Sequence, residues 1–370
     1  MPAPQALRTV RLVSGLVLMA FVTCHLANLA IGMHSLAAME AWRAKLTMPW
    51  TRGPGLLLLM VAATIHLSLG LYAIASRRSL TLSRTDVVQL ILGLLTPPLL
   101  MAHVVAMYTA NRVAPDFASN YGQILAVYWS FAPFYAFQQL FVVVIVWIHG
   151  AVGLYSWLVL QPVWRRIGGF VLPVLFAVPI LALVGFAESG KEVLARLAND
   201  SAWSDMIADN IRPIAKVTRE LAGAQKTALI AYLALVLAAA GILAARVARD
   251  RRRPIGIAYG GGVTAQGRWG LSVLEFSRLN DIPHANVCSG RGRCGTCRVH
   301  VDAGAAVLSP MSEAELDTLA RVEALPAGEP GSVRLACQAR VLGHGVEVTR
   351  LLPPYADASA ARQPQEWATP

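Results

Sequence analysis

Long apolar runs separated by short polar segments fill the first two thirds of the chain. Six runs are long enough to cross a bilayer as helices, which takes about 20 residues each. After Val247 the composition becomes that of an ordinary soluble domain. The pattern predicts an α-helical membrane bundle of six helices, followed by a small α+β domain. The predicted spans are Leu12–Met33, Gly55–Ser76, Val87–Thr109, Phe134–Leu160, Ile167–Ala187 and Thr227–Val247.

The overall composition excludes a wholly soluble protein. Hydrophobic residues make up 56% of the 370 residues and charged residues only 14%, whereas soluble domains carry about 25% charged residues. The net charge of +11 suits a chain whose basic loops face lipid phosphates. We therefore expect contact with membrane lipid and no binding of nucleic acid.

Basic residues next to the spans predict the orientation, because cytoplasmic loops carry an excess of Lys and Arg. The richer side is predicted to be cytoplasmic and includes both termini. The opposite side has only Arg43, Lys45, Arg52 and Arg112 near the spans, apart from a longer mixed-charge loop. The cytoplasmic side collects Arg8, Arg11, Arg77, Arg78, Arg84, Arg165, Arg166, Arg246, Arg249, Arg251, Arg252 and Arg253.

Changes in composition divide the chain further. On the outer side, the segment 188–224 is predicted to form two amphipathic helices broken near Pro213. The end of the chain is rich in Ala, Pro and polar residues, as flexible linkers are. The predicted parts are a transmembrane domain at 1–248, a basic linker at 249–254, a soluble domain at 255–352 and a linker tail at 353–370.

The spacing of four cysteines in the soluble domain predicts a metal site. Cys288, Cys294 and Cys297 share one loop, and Cys337 follows after 39 further residues. A reducing cytoplasm disfavours disulfides, while four thiolates bind either a 2Fe-2S cluster or a zinc ion. Zinc ribbons usually arrange their cysteines as two close pairs, so three close cysteines and one distant one favour the cluster. The fifth, Cys24, lies within the first span and is interpreted as a packing residue.

Residues 255–352 resemble a ferredoxin of the adrenodoxin type. The resemblance rests on the C-x5-C-x2-C spacing, where plant ferredoxins have C-x4-C-x2-C, and on the RLACQ stretch around Cys337. It implies a β-grasp fold with a 2Fe-2S cluster on all four cysteines. The elements expected are strands at Ile255–Tyr259 and Gly262–Gln266, a helix at Ser272–Asn280, a strand at Arg298–Asp302, a helix at Glu313–Arg321, and strands around Val333 and Val346.

Each of the first four spans contains one histidine, namely His25, His66, His103 and His149. An ionisable side chain inside a membrane is costly unless paired, and so usually marks function. Neutral imidazole is a natural axial ligand of haem iron, which predicts two b-type haems. The alternatives are that the histidines bind a different metal or have structural or proton-transfer roles. The lack of Asp or Glu within these spans weakens the proton-relay interpretation.

Depth in the membrane suggests how the histidines pair. At about 1.5 Å per residue, His25 and His103 lie nearer the outer face, and His66 and His149 nearer the cytoplasm. The four spans also resemble the di-haem cytochrome b anchors of the succinate dehydrogenase and fumarate reductase group. In those anchors the first core helix pairs with the third, and the second with the fourth. The resemblance implies an outer haem on His25 and His103 and an inner haem on His66 and His149.

Other basic side chains receive weaker assignments. Four arginines are candidates for holding haem propionates, namely Arg43, Arg52, Arg77 and Arg78. The remaining histidines are interpreted as ordinary surface or polar residues, namely His34, His284, His300 and His344.

A 2Fe-2S cluster beside two membrane haems would form an electron-transfer chain. The glycine run 260–262 lacks the strand–helix context of a dinucleotide site, so the chain is not expected to accept hydride. A soluble electron donor or acceptor is therefore expected, and a quinone is a candidate partner.

The combination of six spans, such a ferredoxin and a linker-like tail resembles the N-terminal half of a bacterial class III adenylate cyclase. That resemblance implies a redox or quinone sensor in the bacterial inner membrane, acting as a homodimer. It would control a cyclase domain that this chain does not contain, since the catalytic residues of such cyclases are absent from it. The alternative is an electron-transfer subunit that passes electrons between the cluster and membrane haems or quinone.

Overall fold

The computed structural model describes residues 4–114, 120–322, 331–357 and 359–360. It divides into two compact units that alternate along the chain. The first unit comprises Met1–Tyr72, Val88–Tyr155 and Arg165–Ala238, and the second Ala73–Val87, Ser156–Trp164 and Ala239–Pro370. The second unit thus combines the C-terminal domain with two short segments that connect apolar helices. The predicted four-part boundaries stay predictions, and most of the predicted tail, 358 and 361–370, lies outside the described residues.

Ten α-helices precede the first strand in the described ranges. Six of them, α1, α4, α5, α7, α8 and α10 in the order given below, are long and apolar enough to cross a membrane. Each coincides with a predicted span, so the prediction of six apolar helices is confirmed. The helices are α1 Pro4–Ile31, α2 Leu36–Leu46, α3 Met48–Thr51, α4 Gly53–Ala75, α5 Arg84–Val113, α6 Tyr121–Ala126, α7 Pro133–Leu158, α8 Trp164–Asn199, α9 Ser201–Lys216 and α10 Thr218–Asp250, with a π-helix at Val127–Phe131 after α6.

The side chains of the first unit are distributed as expected for a bundle in lipid. Phe134 and Phe170 project from apolar helices and are 76% and 79% exposed, which is costly in water and not in hydrocarbon. The buried core of this unit includes Met39 of α2 and Ile207 of α9, both fully buried. The indole Nε1 of Trp147 donates to a backbone carbonyl at 2.7 Å, as a polar group buried in a membrane helix must.

The segment 188–224 contains two helix breaks, one at Val217, four residues after Pro213 and near the predicted position, and one at Asp200 that was not predicted. Helix α8 continues to the residue before Asp200, and α9 begins just after it. The Asp200 side chain accepts a hydrogen bond from the backbone N–H of Trp203 at 2.9 Å. The break falls there because a carboxylate is a strong N-cap. Pro213 lies in the last turn of α9, which ends at Lys216 before α10 begins at Thr218.

The second unit contains a five-stranded mixed sheet, counted over the described residues, with two helices against it. The strand order is β2-β1-β5-β3-β4, in which β1 and β5 are parallel and the other pairs antiparallel. This confirms the predicted small α+β fold. The elements are β1 Pro254–Tyr259, β2 Val263–Arg268, α11 Val273–Leu279, β3 Arg298–Ala303, α12 Glu313–Arg321, β4 Val333–Leu335 and β5 Val346–Arg350.

Local sequence fixes the start of α11 and the turn between β1 and β2. Ser272 and Glu275 form a capping box at the start of α11, each side chain accepting from the other residue's backbone N–H, which fixes the first turn. Gly261 and Gly262 have φ of +89° and +80°, the left-handed values that a tight hairpin turn requires. The glycine run 260–262 is therefore the turn between β1 and β2.

Candidate iron–sulfur centre and membrane histidine pairs

The loop between α11 and β3 places three thiols inside the second unit. Cys288, Cys294 and Cys297 are all buried, and Cys337 is buried in the turn after β4. The loop turns tightly at Gly292, whose φ of +67° is in the left-handed region. A Cβ at this position would lie 2.9 Å from the Gln338 side chain. A side chain at that position would therefore be strained and crowded.

The four thiols form two close pairs. The Cys297 Sγ donates to the Cys337 Sγ at 3.3 Å. A hydrogen bond from Cys294 lowers the pKa of the Cys288 thiol well below its usual value, which identifies the second pair. Two thiolates bound to one tetrahedral metal at about 2.3 Å lie about 3.8 Å apart. The Cys297–Cys337 separation is thus within about 0.5 Å of that expected for two ligands of one iron, and the hydrogen bond between Cys288 and Cys294 brings the second pair into contact as well.

Hydrogen bonds surround a thiol of each pair. The Gln338 Nε2 donates to the Cys337 Sγ at 3.2 Å, and the Thr296 hydroxyl lies 3.0 Å from the Cys294 Sγ. Thr296 also accepts from the backbone N–H of Val287 at 3.1 Å. Such contacts around the ligands orient them and tune a metal site.

A buried ion pair positions the strand that leads into Cys337. Arg334 donates to both carboxylate oxygens of Glu315, at 2.9 and 3.0 Å. The same carboxylate accepts from the backbone N–H of Leu335 at 2.7 Å. Because both charges are paired and hydrogen-bonded, the buried carboxylate fixes α12 against β4, two residues before the fourth thiol.

One thiol pair is covered by the segments that connect apolar helices. Leu160, between α7 and α8, packs with Val159 against Cys288 and Cys294. The segment before α5 contributes Ser83, whose hydroxyl donates to Ser289 at 3.2 Å. These residues all belong to the second unit.

An ion pair lies at the same contact. The Arg291 guanidinium of the cysteine loop lies 3.5 Å from the Asp86 carboxylate in the first turn of α5. Sequence reasoning missed this contact, together with those of Leu160 and Ser83. The signal present in the sequence was an acid, Asp86, two residues after Arg84 on the arginine-rich side of the spans, where Asp250 is a second acid.

The four propionate candidates have diverse surroundings. Arg43 pairs with Glu40 at 2.5 Å, and Arg52 is exposed. Arg78 pairs with Asp250 at 3.2 Å and lies over the Trp269 ring. Burial lowers the pKa of Arg77, against the opposing effect of Asp86. The propionate roles of all four stay predictions.

The structure brings the membrane histidines together in the predicted pairs. The ring centres of His25 and His103 are 6.4 Å apart, and those of His66 and His149 are 6.2 Å apart. Two imidazole nitrogens at about 2.0 Å on either side of a metal, with each ring centre about 1.1 Å further out, put the ring centres about 6.2 Å apart. Both pairs therefore fit one metal between two imidazoles.

Two of the four histidines have a hydrogen-bonding neighbour at Nδ1, as a metal-binding imidazole usually does. The His66 Nδ1 lies 3.1 Å from the carbonyl oxygen of Arg11, and the His103 Nδ1 lies 3.1 Å from the Tyr128 hydroxyl. A hydrogen bond at Nδ1 leaves Nε2 available as the ligand and fixes the ring. The Nδ1 atoms of His25 and His149 are buried without a partner among the described residues. Tyr128 belongs to the π-helix, a feature that often marks functional sites.

Two glycines make room for the second histidine pair. A Cβ on Gly15 would lie 2.8 Å from the His66 Cε1, and a Cβ on Gly93 would lie 2.9 Å from the His149 Cε1. Both distances are shorter than real Cβ contacts. The imidazoles of this pair thus occupy their positions only because these helix residues carry no side chain.

Comparison with known proteins assigns the C-terminal domain. Residues 258–342 match the 2Fe-2S iron-sulfur cluster binding domain family. One matching structure is the ISC-like 2Fe-2S ferredoxin FdxB from Pseudomonas putida JCM 20004, with 24% sequence identity and a TM-score of 0.23. The match covers 28% of this chain and 94% of that one. A second is a ferredoxin from Rhodopseudomonas palustris HaA2, with 22% sequence identity and a TM-score of 0.22. This match covers 26% of this chain and 93% of that one. No curated protein matches the chain.

The family match supports the predicted 2Fe-2S cluster, and with it a role in electron transfer. It covers the ferredoxin domain and extends to none of the six apolar helices. The cytochrome b and adenylate cyclase resemblances find no support among these matches and stay predictions.

Proposed function

We propose that the chain transfers electrons between a 2Fe-2S cluster, bound by its four clustered cysteines, and two b-type haems in the membrane bundle. The observation that carries the proposal is the packing of Leu160 on Cys288 and Cys294. Leu160 belongs to a segment that connects two apolar helices, and it follows His149 by eleven residues. The thiol pair and a candidate haem ligand are thus linked by a short stretch of one chain.

The residues around the cysteines suit one-electron transfer. When bound, a 2Fe-2S cluster supplies one-electron chemistry without proton or hydride transfer. Cys288 and Cys294 would hold one iron, and Cys297 and Cys337 the other. Burial and hydrogen bonds to the sulfurs set the reduction potential of such a centre. Leu160 excludes water from the first pair, and Gln338 donates to the second.

The histidine pairs support the haem half of the proposal. Each pair has the ring separation of two axial ligands, and two of the four Nδ1 atoms have a partner that would fix the ring. A haem at each pair would supply a further one-electron carrier. Replacing His25 or His103 with Ala should remove one haem, and replacing His66 or His149 the other, while His34→Ala serves as the control. Wild-type haem content in all four variants would refute the haem assignment.

The contact between Arg291 and Asp86 allows a direct test of electron transfer. In the full chain in lipid nanodiscs, the cluster is reduced rapidly and haem reduction is followed by absorbance. Asp86→Asn and Arg291→Gln should each slow haem reduction, because each removes one partner of the docked loop. The double variant should be no slower than either single one, since coupled residues give non-additive effects.

A matched control removes a carboxylate from the same domain without touching the contact. Asp281 is exposed and has a φ of +52°, which Asn also tolerates. Asp281→Asn should therefore leave the rate unchanged. Equal rates in all the variants, with intact centres, would contradict transfer across this contact.

Partners and location follow from the same proposal. Six apolar helices are consistent with a multi-pass membrane protein, and we place it in the bacterial inner membrane with the ferredoxin domain in the cytoplasm. Since the proposed centres carry single electrons, the partners would be a soluble electron carrier at the ferredoxin domain and a quinone in the membrane. Titration of purified protein with a quinone analogue, read from the haem spectrum, tests the second partner.

The sensor hypothesis extends the proposal to a homodimer that controls a cyclase domain. It rests on the linker-like composition of 353–370, most of which lies outside the described residues. Sequencing the gene beyond the codon for Pro370 tests it directly. A cyclase domain there would favour the sensor, whereas a neighbouring dehydrogenase gene would favour the electron-transfer subunit.

A further inference from the structure

The short π-helix after α6 places a hydroxyl group beside the first histidine pair. The backbone N–H of Ala132 donates to the carbonyl of Val127 at 2.7 Å, which is the i to i+5 hydrogen bond of such a turn. Within this turn, the Tyr128 hydroxyl lies 3.1 Å from the Nδ1 of His103. The Tyr128 ring packs against the core of the first unit, with its centre 6.4 Å from that of Phe186. Both the backbone turn and this packing therefore hold the hydroxyl at the imidazole.

The two ring nitrogens of His103 have different roles when the ring binds a metal. In a neutral imidazole one nitrogen carries a proton and the other accepts, so the direction of the hydrogen bond depends on the tautomer. With Nε2 on a haem iron, Nδ1 carries the proton and donates it to the Tyr128 oxygen. The opposite direction would put the proton on Nε2 and exclude that nitrogen as a ligand. Haem binding at Nε2 thus makes the tyrosine the acceptor.

The two histidine pairs differ in what their Nδ1 atoms contact. Among the residues that the structure describes, Tyr128 is the only side chain hydrogen-bonded to a ring nitrogen of the first pair, since the Nδ1 of His25 is buried without a partner there. In the second pair, the Nδ1 of His66 lies 3.1 Å from the backbone carbonyl of Arg11, which no side-chain replacement removes. The first pair can therefore be altered at one hydroxyl group while both imidazoles stay in place.

We infer that Tyr128 is a positioning residue of the outer haem and lowers the reduction potential of that haem. Reduction adds one electron to the iron and neither makes nor breaks a bond. A haem with two neutral imidazole ligands carries one positive charge in the ferric state and none in the ferrous state, so ferric iron polarises the Nδ1–H bond of His103 more strongly. Hydrogen bonds from a charged group are about twice as strong as neutral ones. The contact with the Tyr128 oxygen therefore stabilises the oxidised haem more than the reduced one.

The inference rests on the proposed haem ligands, and a spectroscopic redox titration of the full chain in lipid nanodiscs tests it. The outer haem is identified as the one whose spectrum is lost in His103→Ala. Tyr128→Phe keeps the ring and removes only the hydroxyl. The equilibrium constant for reduction of the outer haem should rise about fivefold, because the additional strength of the charged hydrogen bond is lost. At 59 mV per factor of ten for one electron, this is a rise of about 40 mV, and the inner haem should keep its potential.

A second variant and a control separate the hydrogen bond from packing. Tyr128→Leu also lacks the acceptor and should raise the outer potential in the same direction. Tyr108→Phe is the matched control, since it removes a hydroxyl from the helix that carries His103, at a side chain that is 58% exposed. Both of its potentials should equal those of the wild type.

The outcomes distinguish this inference from the proposed function. A wild-type protein without haem, or one that keeps both haems in His103→Ala, would refute the proposed haem ligands. Two haems with wild-type potentials in Tyr128→Phe, or a lower outer potential, would refute only the role of Tyr128. Loss of the outer haem in both Tyr128 variants would also overturn the inference, because the contact would then serve assembly of the site.

Discussion

A glycine beside His149 offers a sharp test of the haem sites. A Cβ on Gly93 would lie 2.9 Å from the His149 Cε1, whereas ordinary contacts begin at 3.4 Å. Gly93→Ala must therefore displace the imidazole by about 0.5 Å, the difference between these two distances, or shift a helix. Metal–ligand distances are held to about ±0.2 Å. The substitution should consequently remove the inner haem and leave the outer one in place.

The measurement is haem stoichiometry by pyridine haemochrome on purified protein, together with low-temperature spectra that resolve two b-type centres. We expect about one haem per chain in Gly93→Ala and about two in the wild type. Gly70→Ala is the matched control, since Gly70 lies in α4 and a Cβ added there would meet nothing within 4 Å outside its own helical turn. It should keep both haems. Two unperturbed haems in Gly93→Ala would refute the assignment of His149 as a ligand.

Three further predictions concern the ferredoxin domain. Cys294→Ser should abolish acid-labile sulfide and the EPR signal of the reduced cluster, and stoichiometric zinc without sulfide in the wild type would contradict the cluster. Arg334→Met should lower the free energy of unfolding by about 3–5 kcal/mol, because it leaves the Glu315 charge buried and unpaired, and thermal loss of the cluster absorbance should show it. Burial lowers the pKa of His284 to about 4 from an unfolded value of about 6.5. The unfolded state therefore binds more protons, and stability should fall by about 3 kcal/mol as the pH decreases from 6.5 to 4. Thermal midpoints of His284→Gln should lack this decrease relative to the wild type.

Features with local signals were predictable from sequence. Apolar length predicted the six helices, and cysteine spacing with short strand patterns predicted the ferredoxin fold. The histidine pairs also followed from sequence order and depth, because helices that cross a bilayer place residues at heights fixed by the rise per residue. The break at Asp200 was missed because proline was given more weight than an N-capping carboxylate.

Features that depend on distant pairings were not predictable. Asp86 and Arg291 are 205 residues apart, and nothing local to either residue indicates the other. The contact of Leu160 with two cysteines arises only when a connecting segment and the cysteine loop belong to one folded unit. The burial of Arg298 was not predictable either, since a surface arginine and a buried one look alike in a sequence.

The unequal surroundings of the two cysteine pairs suggest different sides for electron entry and exit. Cys288 and Cys294 are covered by Leu160 and its neighbour, so a soluble protein cannot contact that side of the cluster while the loops are docked. Cys297 and Cys337 instead belong to the core of the sheet domain. In the proposed function, a soluble carrier would therefore approach by another face of the domain, and exchange with the membrane would use the covered pair. Leu160→Ala, which removes part of this cover, should speed reduction of the cluster by small soluble reductants and slow electron transfer from the cluster to the haems. If Leu160 has no role in electron transfer, only the rate of reduction by small reductants should change.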